Sequence, residues 1–144
     1  MKVLVDTNVV LDVLLKRDSF YQDAFSIFQI IDQEQIIGCL SAASVTDIFY
    51  LLRKDRHNTD EVYQIMDELT ALIPAVPVSK TTIANALSLR WKDFEDAVQF
   101  SAAKENEVTH IITRNKTDYK SSDIPCMSPS EFIEYINDEK EKID

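Results

Sequence analysis

The side chains of this sequence best suited to chemistry are oxygen donors: Asp6, Asp47, Asp93, Asp96, Asn115 and Asp118. Asp6 closes the apolar run Val3-Leu4-Val5, and Asp118 follows the apolar run Ile111-Ile112 within the polar stretch Arg114 to Asp118. Ligands of open parallel sheets collect at the carboxyl ends of strands, so acids in those two places are candidates for holding a metal ion or a phosphate. Carboxylates brought together repel one another unless a cation joins them, and all-oxygen donor sets select Mg2+ or Mn2+ over zinc. Each residue also has an ordinary structural reading. Asp6 and Asp93 suit helix caps, Asp118 suits a turn, and Asp47 suits an exposed helical stripe. Asp93 and Asp96 are three apart and share one face of a first helical turn, with Glu95 expected to point elsewhere.

These positions depend on an alternation of strands and helices, which implies a parallel sheet. The first strand is expected over 2–6, followed by a helix from about Asn8 to Lys16 whose face is Val9, Val10, Val13 and Leu14. A second helix should start at Ser19 and bury Phe20, Ala24, Ile27, Phe28 and Ile31. Residues 36–40 predict the second strand, 41–54 the third helix, and Asn58-Thr59-Asp60-Glu61 the capped start of a fourth. In the third helix, Asp47 beside Ile48 and Phe49 is expected to border the core. A short strand over 75–78 carries Pro77, which suggests an edge position or irregular pairing. Helices are expected over 80–89 and 93–105, strands over 110–113 and 124–127, and a last helix from Ser128-Pro129. One domain over 1–138 with a frayed tail over 139–144 is therefore expected.

A chain of 144 residues is long enough to bury a core without staples. Cys39 and Cys126 stand in apolar runs without metal-ligand or redox spacing, which predicts reduced cytosolic thiols. Neither a secretory signal nor an uninterrupted apolar stretch long enough for a membrane span is legible, so a cytoplasmic location is expected. The net charge of -10 argues against general affinity for nucleic acid, though not against an enzyme whose acids are offset by bound cations. The basic residues Lys16-Arg17, Arg53-Lys54 with Arg56-His57, Arg90 with Lys92, and Arg114 with Lys116 flank predicted elements and read individually as solvated surface. His57 and His110 are isolated, and neither H-E-x-x-H nor a Cys cluster competes as a ligand set.

At the acids the chain resembles the PIN-domain family of metal-dependent ribonucleases, which includes the VapC-type toxins of bacterial toxin-antitoxin pairs. Val5-Asp6-Thr7-Asn8-Val9 is similar to the family's first motif, Asp93-Phe94-Glu95-Asp96-Ala97 to its third, and the stretch from Ile112 to Tyr119 to its fourth. The resemblance implies an α/β/α sandwich around a four- or five-stranded parallel sheet. It also implies that Asp6, Asp47, Asp96 and Asp118 are catalytic metal ligands for Mg2+ or Mn2+, with Asp93 and Asn115 as further donors. The second motif departs from the family, which has Glu where only Asp47 is available, one methylene shorter. Thr7, Asn8 and Thr113 would orient carboxylates or hydrogen-bond water, and Arg114 and Lys116 would contact RNA. The substrate implied is RNA, cut by in-line hydrolysis to leave a 5′-phosphate. The partners implied are an antitoxin protein and a second copy of the chain in a homodimer. A PIN-like module that binds RNA or protein without turnover is the competing expectation, because of Asp47. A D-x-D phosphatase would need an acid where Asn8 stands.

Overall fold

The computed structural model describes residues 1–56, 58–119 and 121–143. Its elements are β1 (Lys2–Val5), α1 (Thr7–Leu14), α2 (Tyr21–Asp32), β2 (Ile37–Ser41), α3 (Ala42–Arg56), α4 (Thr59–Leu72), β3 (Ala75–Val76), α5 (Lys80–Leu89), α6 (Phe94–Glu105), β4 (His110–Ile112), β5 (Cys126–Met127) and α7 (Pro129–Ile143). A 3₁₀ turn, Lys116–Tyr119, follows β4.

The sheet has the order β3-β2-β1-β4-β5 and every pairing is parallel. Alternation along β1 divides the core. Val3 and Val5 face a layer containing α1, α2, α3, α4 and α7, while Leu4 faces α6 and Tyr119, with α5 packed outside α6. The result is the expected α/β/α sandwich. Gly38 in β2 leaves room for Ile31, whose Cδ1 would lie 2.5 Å from an added Cβ.

From β1 the chain winds outward through β2 and β3, then returns to place β4 and β5 on the other side. The strand order therefore reverses between β1 and β4, and a crevice opens at their carboxyl ends. Register fixes what borders it: Val5 pairs with Ile112, so Asp6 and Thr113 are the next residues on two adjacent strands. Asp6 N–H donates to Ile112 O at 2.9 Å.

Several boundaries follow local chemistry. Asn58 Oδ1 accepts from Glu61 N at 3.1 Å to cap α4, and Ser79 and Thr82 form a reciprocal capping box on α5. β3 is a two-residue edge strand, as Pro77 requires. α1 begins at Thr7 and ends at Leu14, and α2 begins at Tyr21, a shorter and a later helix than the apolar spacing suggests. α7 runs through Ile143, beyond position 138. Glu139-Lys140-Glu141-Lys142 are good helix formers, and Lys142 Nζ lies 3.2 Å from Glu139 Oε1. Cys39 and Cys126 are free thiols. Among the described residues no helix is long and apolar enough to cross a membrane. His57 lies outside the described residues, and His110 packs its ring against Phe132 and Tyr135.

Candidate metal centre

Asp6 occupies the N-cap position of α1, yet its side chain makes no capping hydrogen bond. It turns into the crevice instead and is 2% exposed. Gln99 Nε2 donates to its Oδ1 at 2.8 Å, and Thr113 Oγ1 donates to its Oδ2 at 3.0 Å. Burial holds this carboxyl above the usual carboxylate range, with the bonds from Gln99 and Thr113 acting in the opposite direction. A buried carboxylate whose helix-capping role is unfilled is held for something else.

α6 presents Asp96 beside it. The first turn of α6 is capped by Asp93, whose Oδ1 accepts from Asp96 N at 3.0 Å, and the 3₁₀ turn after β4 delivers Asp118. One carboxylate oxygen from each of Asp93, Asp96 and Asp118 lies within 4.8 Å of the others. Asp96 is 5% exposed. Its Oδ1 accepts from Tyr119 Oη at 3.2 Å and from Gln99 Nε2 at 3.4 Å, while its Oδ2 is buried with no partner. Burial, then the charges of Asp6 and Asp93, push the Asp96 carboxyl up to about 7. An orphaned buried oxygen among converging carboxylates is costly unless a cation completes it, so the donor set fits a hard divalent ion.

A second side of the site forms around Thr7. Its Oγ1 lies 2.8 Å from Ser44 Oγ on α3 and 3.2 Å from Glu95 Oε1 on α6. Glu95 therefore does not point away from the acids, as its place in the helical turn suggested; the crevice wraps around the first turn of α6 on two sides. Burial raises the Glu95 carboxyl above its ordinary value, and the charges of Asp47, Asp6 and Asp93 push the same way. Asp47 does not border the core. The buried face of α3 is Ser44, Ile48 and Leu52, which leaves Asp47 exposed, lining a recess with Thr7, Asn8 and Glu95.

The remaining expected residues divide. Thr113 binds Asp6 and also accepts from Asn115 N at 3.0 Å, tying the loop after β4 to the site. Asn8 faces Arg17, whose Nη1 is 3.5 Å from its Oδ1, and makes no bond to Asp6. Arg114 is clamped by Asp12: Nε lies 2.8 Å from Oδ2, Nη2 lies 3.2 Å from Oδ1, and the guanidinium carbon sits 3.9 Å from the centroid of Phe20. Lys116 pairs with Glu131 at 2.8 Å. Sequence reasoning missed Gln99, Tyr119 and Asp12. Gln99 sits in an apolar run that reads as core, Tyr119 stands in a polar stretch that gives no sign of its burial, and Asp12 interrupts the apolar face of α1 as the sole sign of its own.

A doubly wound α/β domain with carboxylates converging at its switch point is thus the class to which this chain conforms. A family model for the PIN domain matches residues 2–117. The chain belongs to the PIN-domain family. It is 27% identical over 143 residues to ribonuclease VapC1 of Aquifex aeolicus (strain VF5), spanning 94% of this chain and 96% of that protein. Among solved structures it resembles FitAB bound to an IR36 DNA fragment, with a TM-score of 0.68 at 18% identity, covering 88% of this chain and 94% of the other. It also resembles VapBC-1 of nontypeable Haemophilus influenzae, with a TM-score of 0.67 at 12% identity, covering 90% and 99%. At those identities the structural likeness concerns the fold.

Proposed function

We propose that this protein is a ribonuclease that hydrolyses RNA phosphodiesters with Mg2+ or Mn2+ held by Asp6, Asp96, Asp118 and Asp93. The observation that carries the reading is the convergence of Asp93, Asp96 and Asp118 within 4.8 Å, with Asp96 Oδ2 left unpartnered beside buried Asp6. When bound, such an ion supplies Lewis acidity toward phosphoryl oxygen and lowers the pKa of water. The chain's own residues do the positioning. Gln99 and Thr113 fix the two oxygens of Asp6, Tyr119 fixes one oxygen of Asp96, and Asp93 ties the Asp96 backbone to the start of α6. Glu95, oriented by Thr7, adds a carboxylate to the recess that also contains Asp47, the acid at the place of the family's second motif.

The likeness to ribonuclease VapC1, together with folds found in toxin-antitoxin complexes, supports a toxin restrained by an antitoxin protein in the cytoplasm. A homodimer is the assembly expected of such a protein. A binding module without turnover draws support from the exposed Asp47, but Glu95 beside Thr7 makes good that deficit.

The test is cleavage of a mixed RNA with Mg2+, Mn2+ or EDTA by the unaltered protein, Asp6→Ala and Asp96→Ala. Metal-dependent cleavage lost in both variants is expected. Folded protein that leaves all RNA intact with either metal would favour the binding module.

A further inference from the structure

The recess beside the acids has a second wall of opposite charge. A cavity of about 550 Å3 passes from Asp93, Thr117 and Asp118 to Arg90, Trp91 and Lys92. One hollow therefore joins two of the three clustered carboxylates to two cations and to the chain's single tryptophan. Its size falls within the range of pockets that enclose small ligands, about 300 to 1,000 Å3. In a chain of net charge -10, a wall that carries two cations marks where phosphate can be held.

Other cations near the site are engaged. Arg114 and Arg17 both reach Asp12, and Lys116 reaches Glu131. Arg90 and Lys92 are exposed, and among the described residues neither forms an ion pair. The indole between them is fixed. It stacks on Phe100 with centroids 5.0 Å apart and meets Tyr119 edge-on at 5.8 Å, and Tyr119 in turn holds Asp96. The segment is also fastened at both ends, by Arg90 N–H to Leu87 O at 3.3 Å and by the Asp93 cap on α6.

We propose that this cavity is the subsite for one nucleotide of a single-stranded RNA, next to the phosphate addressed by the acids. Arg90 and Lys92 contact backbone phosphate oxygens, and Trp91 offers apolar surface to the base. The proposal rests on the ribonuclease reading and adds where the strand lies. Phosphate contacts and an aromatic platform carry little sequence information, so this subsite grips any base and leaves selectivity to other parts of the surface.

The single tryptophan is its own probe. Protein carrying Asp6→Asn, to prevent cleavage, is titrated in Mg2+ with a short mixed-sequence oligoribonucleotide while Trp91 fluorescence is followed. A saturable change is expected. Adding Arg90→Gly with Lys92→Gln should weaken binding about ten-fold and lower the slope of log affinity on log salt by about 1.4, roughly 0.7 for each lost phosphate contact on a single strand. Arg90 has φ 57 and ψ 33 at the end of α5, a left-handed conformation that Gly adopts without strain, so its removal spares the fold, and thermal unfolding verifies this. Lys104→Gln with Lys140→Gln removes the same charge elsewhere and should weaken binding far less. Absence of binding, or equal weakening by the two pairs, overturns the subsite. RNA cleavage by the unaltered protein with binding unchanged in Arg90→Gly/Lys92→Gln also removes the subsite while leaving the ribonuclease reading. Binding that this pair abolishes, with no cleavage by the unaltered protein, does the reverse.

Discussion

Gln99 and Asp6, 93 positions apart in sequence, meet at 2.8 Å through Gln99 Nε2 and Asp6 Oδ1. The same amide nitrogen reaches Asp96 Oδ1 at 3.4 Å, so one neutral donor stands between two buried carboxylates. Thr113 donates to Asp6 alone and Tyr119 to Asp96 alone, so among the described residues Gln99 is the one side-chain donor that reaches both. Gln99→Leu keeps most of the volume and removes the donor, which should destabilise the metal-free protein by about 1–3 kcal/mol. Gln99→Glu should destabilise it more in EDTA, then recover more than the unaltered protein when Mg2+ is added. Urea unfolding with and without Mg2+ measures both, and equal recovery in the two proteins would refute the placement.

The same crowding sets a pH dependence. Burial and the charges of Asp6 and Asp93 raise the Asp96 carboxyl from 3.8 to about 7 in the folded chain, and Asp6 is raised as well. Between those values the folded protein binds more protons than the unfolded one, so stability falls as pH rises. Metal-free protein should therefore lose stability from about pH 4 to about 7 through Asp96, by a few kcal/mol, with Asp6 acting in the same direction. Asp96→Asn should flatten that slope. Thermal unfolding in EDTA at pH 5, 6, 7 and 8 checks it, and stability that rises across this range would contradict the burial of Asp96.

The fold was legible where one side chain decides a local question. Asn58 and Asp93 mark helix starts, Pro77 confines β3 to an edge, and the apolar runs before Asp6 and after Thr109 can only be strands of an interior sheet. The acids at strand ends were legible for the same reason: a carboxylate closing a buried strand has few structural uses. What sequence could not show depends on distant packing. Gln99 lies among Ala97, Val98 and Phe100, and only the approach of β1 to α6 gives its amide two carboxylates to bind. Glu95 reads as an outward residue until Thr7 is brought against it. Arg90 and Lys92 read as solvated surface until the 3₁₀ turn carrying Asp118 closes the other side of the cavity they line with Trp91.

Glu95 and Asp47 provide a direct comparison. Both are exposed and line the same recess of about 360 Å3, but Glu95 is hydrogen-bonded to the residue that follows Asp6 and Asp47 makes no such bond among the described residues. Glu95→Gln should lower Mn2+ affinity or cleavage by about 10–100-fold, the cost of losing an orienting or ligating carboxylate. Asp47→Ala should cost only a small part of that. Mn2+ binding by calorimetry separates the two without reliance on activity. A larger loss from Asp47→Ala would return the second-motif role to that residue.

Arg114 and Asp12 form a clamp whose two halves are unequal. Asp12 is 0% exposed and Arg114 keeps access to solvent along its stack on Phe20, with Arg17 a weaker third member at 3.4 Å. Removing the cation strands a buried charge, while removing the acid leaves a guanidinium that water can still reach. Arg114→Ala should therefore cost about 3 kcal/mol, and Asp12→Ala about 1–2 kcal/mol, in chemical unfolding. Arg114 directly follows Thr113, which holds Asp6, so its loss should also loosen the loop carrying Asn115 and Asp118 and weaken Mn2+ binding. Arg114→Lys restores charge without the paired donors and should recover only part of the stability. If Arg114→Ala leaves both unfolding and Mn2+ binding unchanged while reducing RNA affinity, the residue is an RNA contact and not a clamp.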